Sequence, residues 1–183
     1  MKLFRDRRQD RLQQQLAQLR PRLYRSALAW CGNPELADDL VQEALSKALQ
    51  KMTTLKETSS LDAWIFSILV NCRRDHYRRC RPEESYREQA DERQPTADQA
   101  LQTEQTVERV RASVQRLSEG QREVLALVDL EGFSYAEVSG ILQIPIGTVM
   151  SRLNRARSAL RQQLLAANDA ARGTRRGHLE RVK

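Results

Sequence analysis

Apolar residues recur at three- and four-residue intervals through most of this chain, the spacing of helices with one buried face. Over residues 8–31, Leu12, Leu16, Leu19, Leu23, Ala27 and Trp30 share a stripe. Pro21 lies inside it and predicts a kink or a break into two helices, because proline donates no amide hydrogen. Gly32-Asn33-Pro34 ends the pattern. Asn33 suits the cap of a second helix, with Pro34 at its first position. That helix is predicted to reach about Met52, with Leu36, Leu40, Val41, Ala44, Leu45, Ala48 and Leu49 inward. A polar stretch, Thr53 to Ser60, leads to a third helix from Leu61 to about Arg81. Trp64, Ile65, Ile68, Leu69 and Cys72 point inward there, and Arg73, Arg74, Arg78, Arg79 and Arg81 crowd the last turns.

The pattern then lapses. Residues 82–100 hold Pro82, Pro95, many acidic side chains and almost no aliphatic ones. Such a segment buries too little apolar area to order itself and reads as a flexible linker. From Leu101 the helical spacing resumes with Val107, Val110, Val114 and Leu117. Ser118 with Gln121, and Ser134 with Glu137, have capping-box spacing. Gly132 stops the helix between them. Ala136, Val138, Ile141 and Leu142 form the stripe of a short helix, broken at Ile144-Pro145. Pro145 suits a first helical position, and Gly147 suggests close passage of a neighbouring backbone. In the last helix Val149, Leu153, Ala156, Leu160 and Leu164 share the inner face. Ser151, Asn154, Arg155 and Ser158 lie opposite, with Met150 at the margin. The predicted fold class is all-α: two small helical domains, 8–82 and 101–167, joined by an acidic linker (83–100). A basic tail (168–183) is predicted to be disordered.

Charge sharpens this division. The chain has 183 residues, 31 lysines and arginines against 24 acidic side chains, and a net charge of +7. Residues 1–82 carry 16 basic and 9 acidic groups, 83–106 carry 2 and 7, and 107–183 carry 13 and 8. Two basic blocks therefore flank an acidic one, which favours a polyanionic partner. Cys31, Cys72 and Cys80 are few, odd in number and scattered. With no signal peptide in view, they point to reduced thiols in the cytoplasm. Cys72, His76 and Cys80 have helical i, i+4, i+8 spacing, but three ligands along one helix do not close a tetrahedral cage. No apolar run approaches the length of a membrane span, so no direct membrane insertion is expected. No metal, cofactor or catalytic group is predicted.

The segment from Ser134 to Arg161 carries the most chemistry. A capped short helix, a proline break and an arginine-rich second helix make the layout of a helix-turn-helix, whose second helix enters the DNA major groove. Arginine at such a site can take guanine in bidentate fashion, and asparagine can read adenine. Arg152, Arg157 and Arg161 flank the face and suit phosphates. An isolated arginine-rich helix is more often a solvated surface; the capped partner helix and the break argue against that here. A nucleic-acid-processing enzyme would need a carboxylate cluster or an activated nucleophile. Asp38 with Asp39, or Cys72 with His76, lack a third partner.

Three segments together resemble the bacterial sigma-70-type initiation factors, in particular the small extracytoplasmic function group. The resemblance runs over roughly residues 12–165. Ala37-Asp38-Asp39-Leu40-Val41-Gln42-Glu43-Ala44 resembles that family's core-polymerase-binding helix. Leu61-Asp62-Ala63-Trp64-Ile65-Phe66 through Asn71 and the arginines resembles its promoter −10 helix, and Leu117 to Arg157 its −35-binding module. The resemblance implies docking of Asp39, Leu40, Gln42 and Glu43 on the clamp helices of the largest subunit of core RNA polymerase. It further implies contact with the flap of the second subunit. It implies −10 contacts from Asn71, Arg74 and Arg78, and capture of a flipped base by the loop Thr53–Ser60. It implies −35 promoter DNA contacts from Thr148, Met150, Ser151, Arg152, Asn154, Arg155 and Arg157, and sequestration by an anti-sigma factor. Met150 stands where the family is often basic, and Asn154 where it is often aromatic or histidine. A dimeric response-regulator-type operator binder shares the helix-turn-helix but has no use for the Asp39-Gln42-Glu43 helix.

Overall fold

The computed structural model describes residues 2–51, 60–80 and 101–179. Among them there are helices and no strand. The first half holds α1 (Lys2–Cys31), α2 (Pro34–Lys51) and α3 (Leu61–Arg79). The second holds α4 (Leu101–Gln115), α5 (Glu119–Leu125), a π-helical turn (Ala126–Leu130), α6 (Tyr135–Leu142) and α7 (Ile146–Leu179). The linker 83–100 and the loop 53–59 lie outside the described residues.

The local signals act largely as their chemistry requires. Gly32 turns the chain out of α1 at φ +67°, and Asn33 Oδ1 accepts the amides of Glu35 and Leu36 at 2.9 and 3.1 Å. Pro34 opens α2, where its missing amide hydrogen costs nothing. Ser60 caps α3. The amide of Ser118 donates to Gln121 Oε1 at 3.1 Å, the return bond of a capping box. Gly132 ends the π-helical turn at φ +77°.

Leu16, Leu19, Leu23, Ala27 and Trp30 of α1 meet Ala37, Leu40, Val41 and Ala44 of α2, and Ile65, Phe66 and Leu69 of α3. Val124, Leu127, Val138, Ile141, Leu142, Val149, Leu153 and Ala156 fill the second half. These twenty side chains are buried, enough apolar area to hold helices that are individually marginal.

Several expectations need correction. Helix α1 continues through Pro21, since Leu16, Leu19 and Leu23 anchor it on both sides. Leu49 is 46% exposed, because the buried stripe of α2 ends at Ala48. A Cβ on Gly147 would meet nothing within 4 Å, so no close backbone approach explains that glycine. Pro145 stands one residue before α7, where its carbonyl accepts the amides of Thr148 and Val149. The region 168–183 is not an unstructured tail up to Leu179, because α7 runs that far. Ala166, Ala167, Ala170 and Ala171, with nearby arginines, are strong helix formers and outweigh the glycines.

The largest addition is the packing of the two halves on each other. Phe66 of α3 meets Phe133 edge to face at 5.1 Å. Gln115 Nε2 donates to the Ala29 carbonyl at 3.0 Å. Arg22 of α1 binds Asp62 and donates to Glu131 Oε2 at 2.8 Å, while Ser26 donates to Glu131 Oε1 at 2.9 Å.

Candidate nucleic-acid interface

Helix α6 begins where the capping box predicts. The amide of Ser134 donates to Glu137 Oε2 at 2.8 Å, and the amide of Glu137 donates to Ser134 Oγ at 3.3 Å. The bonds from Ser134 hold the Glu137 carboxyl below its ordinary range. The turn uses a device that the sequence reading missed. Gln143 adopts φ 56°, ψ 46°, a left-handed C-cap without glycine. Ser139 Oγ donates to the Ile144 carbonyl at 2.6 Å and ties the turn to α6.

This turn aims α7 outward. Val149, Leu153 and Ala156 are buried, and Met150, Ser151, Asn154 and Arg155 are exposed on the other side. Met150 is 53% exposed. Asn154 and Arg155 have no hydrogen-bond or ionic partner among the described residues, so their donors are free for base edges. Ser151 Oγ donates to the Thr148 carbonyl at 3.1 Å, and Thr148 is half-buried.

The flanking arginines differ from these. Arg157 holds Asp129 in a fork, Nη2 to Oδ1 at 2.6 Å and Nε to Oδ2 at 3.2 Å. Asp129 raises the guanidinium's pKa further. The π-helical turn carries Asp129 toward α7, and Glu131 just after it faces α1. Arg152 folds across α5, its guanidinium 2.7 Å from where a Gly120 Cβ would stand. A side chain at Gly120 would press on the Arg152 guanidinium, and one at Gly32 on the Gln115 amide, though the sequence directed attention to Gly147.

In the first half, Asn71 and Arg78 are exposed on α3, and Arg78 pairs with Asp75 at 2.7 Å. Arg74 is half-buried and donates to the Leu142 carbonyl, at the end of α6, at 3.1 Å. Trp64 is partly buried against the core, as its inward position predicts. Arg73 departs most from expectation. It is 1% exposed, not on the arginine-rich surface, and pairs with Glu123 at 2.6 Å and Glu119 at 2.8 Å. Burial pushes the Glu123 carboxyl up, and Arg73, Arg74 and Arg152 oppose that rise.

On α2, Asp39 and Gln42 are exposed, and Gln42 donates to Asp38 at 2.7 Å. Glu43 is half-buried and accepts Lys47 at 2.8 Å. Leu40 is buried in the core, so it supports the acidic face instead of presenting itself. Cys72 is buried and Cys80 exposed beside His76, at 3.5 Å. No group of three or more histidine, cysteine or acidic side chains is poised for a metal among the described residues. No helix among them is long and apolar enough to cross a membrane.

An all-helical chain with an outward recognition helix in one half and an arginine-bearing helix in the other defines a two-part DNA-binding factor. Comparison with known proteins narrows this class. The family described as Sigma-70 region 2 matches residues 16–82, and Sigma-70, region 4 matches residues 107–160. The chain is 36% identical over 151 residues to the ECF RNA polymerase sigma factor EcfG of Rhodopseudomonas palustris, covering 82% of this chain and 83% of that one. It is 32% identical over 140 residues to RNA polymerase sigma-H factor of Pseudomonas aeruginosa, covering 70% and 72%. The solved sigma factor RpoE of Bartonella quintana, in complex with the anti-sigma factor NepR, superposes with a TM-score of 0.67 at 30% identity. That match covers 82% of this chain and 94% of the other. The chain belongs to the sigma-70 family of RNA polymerase sigma factors, in its ECF group.

Proposed function

We propose that this chain binds core RNA polymerase through the acidic face of α2, reads a −35 element with α7 and a −10 element with α3, and so starts transcription at selected promoters. The observation that carries this reading is the exposed Met150-Ser151-Asn154-Arg155 face of α7, on which Asn154 and Arg155 have no partner among the described residues, in a chain whose other half bears Asn71 and Arg74. Asp39, Gln42 and Glu43 meet the clamp helices, and the second half meets the flap of the second subunit. Arg155 and Asn154 supply base-edge donors, while Arg152 and Arg157 serve phosphates. The factor works in the cytoplasm and contributes no catalytic group; nucleotide addition belongs to the polymerase. An anti-sigma factor holds the chain inactive until a signal arrives. This follows from family membership and from the anti-sigma complex of the Bartonella quintana relative.

The test is transcription reconstituted from purified core polymerase on a genomic promoter library. The expected result is a set of transcripts that depend on this protein and share two sequence elements upstream of their starts. A protein that neither copurifies with core nor yields any dependent transcript would contradict the proposal.

A further inference from the structure

Three large apolar side chains of α7 stand exposed among the described residues: Ile146 at 48%, Met150 at 53%, and Leu165. Leu165 lies about four turns beyond Met150. Ile146 and Met150 are four residues apart, so they adjoin on one side of the first two turns. Neither joins the core that Val149, Leu153 and Ala156 fill from the same helix.

The space around the pair is open. Gly147 is exposed, and a Cβ there would meet nothing within 4 Å. The first turn of α7 carries no acidic side chain, so none opposes the positive end of the helix dipole there. Asn154 follows Met150 by four residues and is exposed, with no partner among the described residues. The apolar pair therefore continues into a free amide. The row from Ile146 to Asn154 spans about 12 Å along the helix, the length of about three or four base-pair steps.

A recognition helix meets base edges with its N-terminal residues, which is where Ile146 and Met150 stand. Isoleucine has no side-chain donor or acceptor, and methionine has only a weak sulfur acceptor. The pair cannot read the hydrogen-bonding pattern of the major groove. The apolar feature of that pattern is the C5-methyl group of thymine. An A·T pair presents this methyl together with the adenine N6 and N7 that asparagine takes in bidentate fashion. Cytosine offers an N4 amino group instead, which would lose its water against two apolar side chains and gain no partner.

We propose that Ile146 and Met150 recognise thymine in the −35 element by its 5-methyl group, and that Ile146 is a specificity-determining residue of this face. This rests on the reading of α7 as the −35 helix. The methyl can be removed by itself, because uracil keeps the O4 acceptor of thymine.

The experiment assembles the full chain with core polymerase on the strongest promoter from the library. Each thymine of the −35 element, on either strand, is replaced in turn by deoxyuridine. Competition against the unmodified promoter reads relative affinity. At one or two positions uracil is expected to weaken wild-type binding about fourfold, the factor for one buried methyl group. Ile146→Ala and Met150→Ala change exposed side chains and spare the core. Each should weaken binding to the unmodified promoter and reduce the uracil penalty at its own position.

Unchanged wild-type affinity for every uracil promoter, or a −35 element with no A·T pair, would overturn the proposal while promoter reading stands. So would a uracil penalty of full size in both variants, since the methyl would then be sensed elsewhere. A penalty that Met150→Ala reduces but Ile146→Ala does not would overturn the role of Ile146. Loss of core binding by the variants with no uracil effect would make the pair a protein contact and overturn the proposal. If the wild type starts no transcript, promoter reading itself fails, and the methyl contact with it.

Discussion

Single side chains divide this protein's arginines into two groups. Arg155 has an open guanidinium on the exposed face of α7, whereas Arg73 is held by two carboxylates and Arg157 by Asp129. An open fork can approach a base edge in bidentate geometry; a held one must first exchange its partner. Arg155→Ala is therefore expected to cost about 1–3 kcal/mol at one −35 base pair and to relax specificity there. Binding of the holoenzyme to a set of single-base promoter variants checks this, and an equal loss on every sequence would make Arg155 a phosphate contact. The cysteines contrast with the arginines. Burial pushes the Cys31 and Cys72 thiols up, keeping both in the weakly reactive thiol form.

At the scale of elements, the capping box of α6 and the acidic face of α2 each carry a prediction. Replacing Ser134 with Ala removes an acceptor from the first turn of α6 and should cost about 0.5–2 kcal/mol in denaturant unfolding. The box also titrates. Glu137 has a folded pKa below its ordinary value of 4.5, so its contribution is present above that value and lost as pH falls through the lowered one. Backbone chemical shifts at residues 134–137 should report fraying of α6 over that acidic window, and Glu137→Gln should remove the pH dependence. On α2, Asp39 is exposed while Leu40 is core. Asp39→Arg should therefore leave helicity and melting unchanged and weaken core polymerase binding at least about tenfold, as like-charge juxtaposition costs several kcal/mol. Surface-immobilised core measures that affinity, and an unchanged value would remove α2 as the docking helix.

For the molecule as a whole, the element order, the caps at Asn33, Ser118 and Ser134, and the outward face of α7 were all legible in the sequence. Each depends on residues within one turn or on the period of one helix. The packing of the halves was not legible. Periodicity tells which side of α3 is apolar, but not that Glu119 and Glu123, some fifty residues on, neutralise its Arg73. The π-helical turn was missed for a similar reason. Nothing in Ala126–Leu130 announces the wider turn, which carries Asp129 to Arg157 while Glu131, just beyond, reaches Arg22. Met150 and Asn154 were singled out by their departure from the family pattern, and both stand exposed on the outer face of α7.

The central claim is that one chain reads two promoter elements at once, α7 on the −35 element and α3 on the −10 element. The most direct measurement tethers a DNA-cleaving iron chelate to Met150→Cys or to Asn71→Cys, each in a Cys80→Ser background that removes the exposed native thiol. Each labelled protein is assembled with core polymerase on one promoter from the library, and the cut sites are mapped. Cuts are expected only within the −35 element from position 150 and only within the −10 element from position 71. Cuts at the same element from both positions, or at neither element from an active holoenzyme, would contradict the claim.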